Sequence, residues 1–122
     1  MKIRIKSNSL RYRLTRTDVT ELAKTGALGD SVSFGEQSLV YAVKITEDAQ
    51  LSSIFKNNVL TLFMPKSMID ELANTDRVGF ENNNCIPHLL VEKDFTCLEN
   101  VAEDQSDNYP NPLAEKIYEE GD

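Results

Sequence analysis

The chain has 122 residues, 40% of them hydrophobic and 27% charged, with a formal net charge of -7. A chain of that length buries about two thirds of its unfolded surface in one domain, so the two cysteines are not needed as a disulfide framework. No apolar run approaches the roughly 18 residues that span a bilayer, and Lys2, Arg4 and Lys6 interrupt the start with no apolar segment after them, so no secretion signal is read and a cytoplasmic protein without membrane contact is expected.

The charge is unevenly placed. Residues 1 to 94 hold 12 Lys+Arg against 12 Asp+Glu, while residues 95 to 122 hold Lys116 against 8 carboxylates. An acidic chain with one short basic stretch lacks the broad positive surface that phosphate backbones select, which argues against general nucleic-acid binding.

That basic stretch comes first. Residues 1 to 16 carry six cations and no carboxylate. A turn at Ser7-Asn8 makes them a hairpin that pairs Ile5 with Leu10, Arg4 with Arg11, Ile3 with Tyr12 and Lys2 with Arg13, with one apolar and one cationic face. Like charges directly opposite each other cost up to about 1 kcal/mol per pair, so the ladder calls for an opposing anion. Next, Thr15 or Thr17 caps a helix with Asp18 or Glu21 in its first turn; Val19, Leu22 and Ala23 are its buried stripe and Gly26 its stop. Gly29-Asp30 reads as a turn before a short strand at 31 to 34. A strand at 39 to 45 follows, alternating Leu39, Tyr41, Val43 and Ile45 against Val40, Ala42 and Lys44.

A second hairpin turns at Asn57-Asn58. Laid over the first at an offset of fifty, residues 6 to 25 match 56 to 75 at 7 of 20 positions, where ordinary residue usage gives about one or two. Val32-Ser33-Phe34 then answers Val78-Gly79-Phe80, and the strand at 39 to 45 answers one at 85 to 91. The expectation is an α+β domain over residues 1–98 built from a duplicated strand-strand-helix-strand-strand unit, with halves at about 1–46 and 51–94. It would have about eight mostly antiparallel strands in a barrel or strongly curved sheet, with two helices outside. Arg4, Arg11 and Arg13 correspond to Ile54, Thr61 and Phe63 in the second half, so the cations belong to one half alone.

Residues 99–122 form an acidic tail. Tyr109-Pro110-Asn111-Pro112 forbids helix locally, and Leu113 and Ile117 could share one side of two helical turns. Such an arm could lie along the basic ladder or carry the chain into an oligomer.

Residues that could do chemistry are few. Cys85, His88 and Cys97 provide only three soft ligands, and 85 and 88 fall on opposite faces of a strand, so no metal and no cofactor is expected. No G-x-S-x-G elbow is present, and Gly26-Ala27-Leu28-Gly29 is too glycine-poor for a phosphate loop. The candidate site is therefore anionic-ligand binding by Lys2, Arg4, Lys6, Arg11 and Arg13, with Glu81, Glu92 and Asp94 as acidic partners inside the fold.

Two resemblances bear on this reading. KIRIKSNSLRYRLT at the start, EKDFTCL at 92–98 and YPNP at 109–112 resemble a family of small uncharacterised bacterial proteins, which implies that the tail blocks belong to the family pattern. The order of eight strands, with a helix after the second and sixth, is similar to the triphosphate tunnel (CYTH-like) phosphohydrolases, which implies a barrel around a polyphosphate. That superfamily opens on Glu-x-Glu-x-Lys, whose acids hold a divalent metal; here the segment is Lys2-Ile3-Arg4-Ile5-Lys6, both acids replaced by bases. The reading is thus a non-catalytic anion-binding or protein-interaction domain, its ligand a small phosphorylated molecule or an acidic peptide such as its own tail. The alternative is a tunnel-type phosphohydrolase acting on a phosphate ester or polyphosphate.

Overall fold

The structure, a computed structural model, describes residues 1–95 and 106–110. Eight strands and two helices follow in the order β1 (Lys2–Lys6), β2 (Ser9–Leu14), α1 (Arg16–Thr25), β3 (Ala27–Ser33), β4 (Ser38–Thr46), β5 (Ser52–Lys56), β6 (Val59–Pro65), α2 (Lys66–Asn74), β7 (Gly79–Asn82) and β8 (His88–Lys93). The fold is α+β, with a helix after the second and sixth strands as expected.

Local chemistry accounts for the elements. Ser7 (φ +49°) turns the first hairpin, and its register pairs Lys2 with Arg13, Ile3 with Tyr12, Arg4 with Arg11 and Ile5 with Leu10. Asn57 and Asn58 turn the second at φ +54° and +66°, the left-handed region that asparagine tolerates. A reciprocal capping box starts α1: the Asp18 N–H donates to Thr15 Oγ1 at 3.2 Å and the Thr15 N–H to Asp18 Oδ2 at 2.9 Å. Gly26, at φ +83°, ends it and donates to the Leu22 carbonyl.

The strands do not close into a barrel. They form two four-stranded mixed sheets, ordered β1-β2-β8-β7 and β3-β4-β6-β5. Each sheet joins one hairpin from each half of the chain, and the joins, β2 to β8 and β4 to β6, are parallel. Both sheets and both helices share one core. Tyr12, Leu14, Val19 and Leu22 are buried in it, and so are Leu62, Met64, Ile69 and Leu72, the residues fifty positions on. Among the described residues no helix is long and apolar enough to cross a membrane.

Two boundaries and one buried position differ from the expectation. Gly29 and Asp30 lie inside β3, because the chain has already reversed at Gly26, and Ala27 pairs with Lys44; the turn falls instead at Gly35, where the Phe34 N–H reaches the Gln37 carbonyl. The last strand begins at His88 and not at Cys85: Pro87, after a cis peptide bond, has no N–H for a ladder. Ala23, expected in the helix's buried stripe, is exposed.

Candidate functional site

The alternation along β2 and β8 divides the first sheet into two faces. Leu10, Tyr12, Leu14, Leu89 and Val91 are buried on the inner one. The outer face consists of three cross-strand rows: Lys2, Arg13, Glu92 and Gly79; then Arg4, Arg11, Leu90 and Glu81; then Lys6, Ser9 and His88. All five cations of the candidate site therefore share one surface, and two of the three carboxylates share it with them.

Glu92 is the centre of this surface. Its Oε2 accepts from Arg11 Nε and, at 3.4 Å, from Arg13 Nε. Parallel pairing of β2 with β8 puts it directly beside Arg13 and one pleat from Arg11, so one carboxylate bridges two guanidiniums. Asp94 takes the other end of the ladder. Its Oδ2 lies 3.2 Å from Lys2 Nζ, close enough for an ion pair but without the alignment of a hydrogen bond. Glu81 enters from β7, on the far side of Leu90.

Beyond Glu92, toward the hairpin turn, the balance changes. A groove of about 320 Å3 is lined there by Arg4, Lys6, Arg11, Glu81, His88 and Leu90, among others, with three fixed cations against one carboxylate. Sequence reading missed His88 as a member of this face, since it took the strand to begin at Cys85. The spacing 88, 90, 92 holds the signal once Pro87 is accepted as the start. Cys85 lies in the preceding loop, its Sγ donating to the Pro87 carbonyl at 3.3 Å. Cys97 is outside the described residues. Among those described, no three His, Cys, Asp or Glu side chains cluster as metal ligands would.

The matching face of the second sheet has different chemistry. There Phe63, Thr61 and Val59 of β6 lie beside Lys44, Ala42 and Val40 of β4 and Ser52, Ile54 and Lys56 of β5. Two lysines are spread over a mostly apolar surface, where the first sheet concentrates five cations.

The part of the acidic tail within the described residues, 106–110, does not lie on the cationic face. It packs where α1 starts. Asp107 Oδ1 accepts from the Thr17 hydroxyl at 3.0 Å and the Thr17 N–H at 3.3 Å, and the Arg16 N–H reaches the Asp107 carbonyl. A carboxylate beside these orphan N–H groups also complements the helix dipole. The Thr15 side-chain hydrogen bond foremost, with Thr17 and Arg16, holds the Asp107 carboxyl below its ordinary 3.8. The Tyr109 N–H bonds to the Asp94 carbonyl at 2.8 Å, and the Phe95 and Tyr109 rings meet edge-on at 6.0 Å. Residues 111–122, including the segment read as a docking arm, lie outside the described residues.

No curated protein and no solved structure matches the chain. One family model does, over residues 1–113, a span that includes the basic hairpin, both sheets and the segment docked on α1. The chain thus belongs to a family of unknown function (DUF7009).

Proposed function

We propose that this is a binding domain whose cationic sheet face holds an extended acidic segment of a partner protein. The observation that supports it is the contrast between the two sheets: at matching positions one has Arg4, Arg11 and Arg13 and the other Ile54, Thr61 and Phe63. A scaffold that accepts uncharged residues at these places does not need the cations to fold. We take the scaffold itself to be a duplication, with the cations acquired in one copy.

The spacing favours an extended ligand. Lys2, Arg4 and Lys6 recur every second residue along β1, an interval of about 6.6 Å, and alternate carboxylates of an extended peptide repeat at the same interval. β1 is also an edge strand, with no partner on its outer side among the described residues, the kind of edge to which an extended peptide can add as a further strand. Glu92 satisfies Arg11 and Arg13 in the absence of a partner, and a ligand carboxylate near Arg4 and Lys6 would extend that alternation of charge.

The test is an amide-shift titration with a short peptide bearing glutamate at alternate positions. Expected shifts centre on β1, Arg11 and His88, weaken with salt, and disappear with the glutamine version of the peptide or with Arg4→Gln/Lys6→Gln. No response to the glutamate peptide overturns the proposal. A response to tripolyphosphate alone would replace the peptide with a phosphorylated small molecule. Phosphate release from tripolyphosphate that depends on Glu81 would replace binding with catalysis.

A further inference from the structure

Lys93 is 7% exposed, and its ammonium has no carboxylate partner among the described residues. Its Nζ donates to the Thr75 carbonyl at the C-terminal end of α2, 3.0 Å away, and lies 4.9 Å from the centre of the Tyr109 ring. Both contacts favour a cation. Neither neutralises it, and burying a charge without a counter-charge is costly. The fold does not impose this cost: in the parallel join of the first sheet Lys93 pairs with Leu14, and in the second the matching pair is Ile45 with Met64. An aliphatic side chain occupies the same place in the other half.

The ammonium lines a cleft of about 360 Å3 between α1 and α2, on the other side of the first sheet from the cationic ladder. Val19 and Leu72 are almost fully buried beneath the cleft, and the exposed Ala73 and half-buried Tyr109 give it accessible apolar walls. Arg16 and Asp76 stand at the cleft with opposite charges. The lining is about equally polar and apolar, which suits a small ligand with one charged end and one hydrocarbon end. An ammonium has three N–H donors, and the Thr75 carbonyl takes one of them.

We propose that this cleft binds a small amphipathic monoanion, a carboxylate on a short hydrocarbon. The carboxylate is held by Lys93 with Arg16, and the hydrocarbon lies between Ala73 and the Tyr109 ring. Asp76 disfavours a second negative charge, which separates this ligand class from phosphates and from multiply acidic peptides. The site is independent of the cationic face, so either can fail without the other.

Amide-shift titration with hexanoate tests it, with hexanol and acetate as the uncharged and headgroup-only controls. Hexanoate is expected to shift Arg16, Thr20, Ala73 and Asp76, with each control at least tenfold weaker. Lys93→Met, which mimics the aliphatic residue of the other half, should weaken hexanoate at least tenfold. Arg16→Gln, a change at an exposed side chain, should weaken it severalfold and serves if Lys93→Met does not fold. The proposal is overturned by any of three results: no response to hexanoate, a response centred on Arg4, Arg11 and His88, or equal affinity in the wild type and the Arg16 variant.

Discussion

Replacing Glu92 by Gln isolates what the cationic face costs the fold. In the wild type its carboxylate accepts from two guanidiniums whose side chains are 33% (Arg11) and 20% (Arg13) exposed, and is itself 17% exposed. A hydrogen bond to a charged group contributes about 1.5–3 kcal/mol net when buried; the 3.4 Å contact to Arg13 is weak and Arg11 is a third open to water, so the sum stays near 2 kcal/mol. Glutamine keeps the shape but removes the negative charge that lies between Arg11 and Arg13, on rows that also hold Lys2 and Arg4. A loss of about 2 kcal/mol lowers Tm by roughly 6–10 °C for a chain of this size. Because the loss is repulsion as much as a broken bond, millimolar tripolyphosphate should restore much of it in the variant and add less to the wild type. Urea unfolding of both proteins, with and without tripolyphosphate, measures this. A loss under about 0.5 kcal/mol, or a loss that tripolyphosphate leaves untouched, refutes the view that Glu92 substitutes for an external anion.

Other positions make sharper structural tests. The Tyr12 hydroxyl is fully buried without a hydrogen-bond partner among the described residues, so Tyr12→Phe should raise stability by about 1 kcal/mol in urea unfolding. Burial also pushes the Tyr12 phenol up to about 12, so its contribution is complete below about pH 10 and is lost as pH rises from 10 to 12; the phenylalanine variant should lack that alkaline decline. A Cβ at Gly79 would lie 2.4 Å from the Val91 carbonyl oxygen and 2.9 Å from Glu92 Cβ, so Gly79→Ala must displace β7 from β8 and should cost about 2–4 kcal/mol by thermal unfolding. Asp107, with its carboxyl held below 3.8, stabilises the docked segment above that pH and releases it as pH falls further; the Thr17 amide shift should follow this titration and lose it in Asp107→Asn.

Much of the local structure was legible because adjacent residues encode it. Ser7-Asn8 set the first hairpin's register pair by pair, and Thr15, Asp18 and Gly26 bounded the first helix. The division into two sheets was not legible, and the expected barrel does not form. Alternation determines which side of a strand faces the core, but not which hairpin lies next to which, and β2 finds β8 across more than seventy residues of chain. The composition of the cationic face was readable down to Glu92 and Asp94, since two-residue spacing survives any strand pairing. His88 was missed through one misplaced strand end. The Lys93 cleft had no sequence signal: a lysine beside two acids reads as a solvent charge, and only the packing of α1 and α2 around it makes it buried.

The exchange of hairpins also orders the two sheets in time. The second sheet is drawn from one unbroken stretch, β3 through β6, and can be complete once residue 65 has been synthesised. The first is a clasp between the two ends of that stretch: β1 and β2 are made first and have no parallel partner until residues 88–93 emerge. A chain stopped before β8 contains all four strands of the apolar-faced sheet but holds neither Glu92 nor His88 beside the basic hairpin. Any chain that ends before residue 88 thus lacks the third strand of the cationic face, and binding through that face would report that β8 has joined β2.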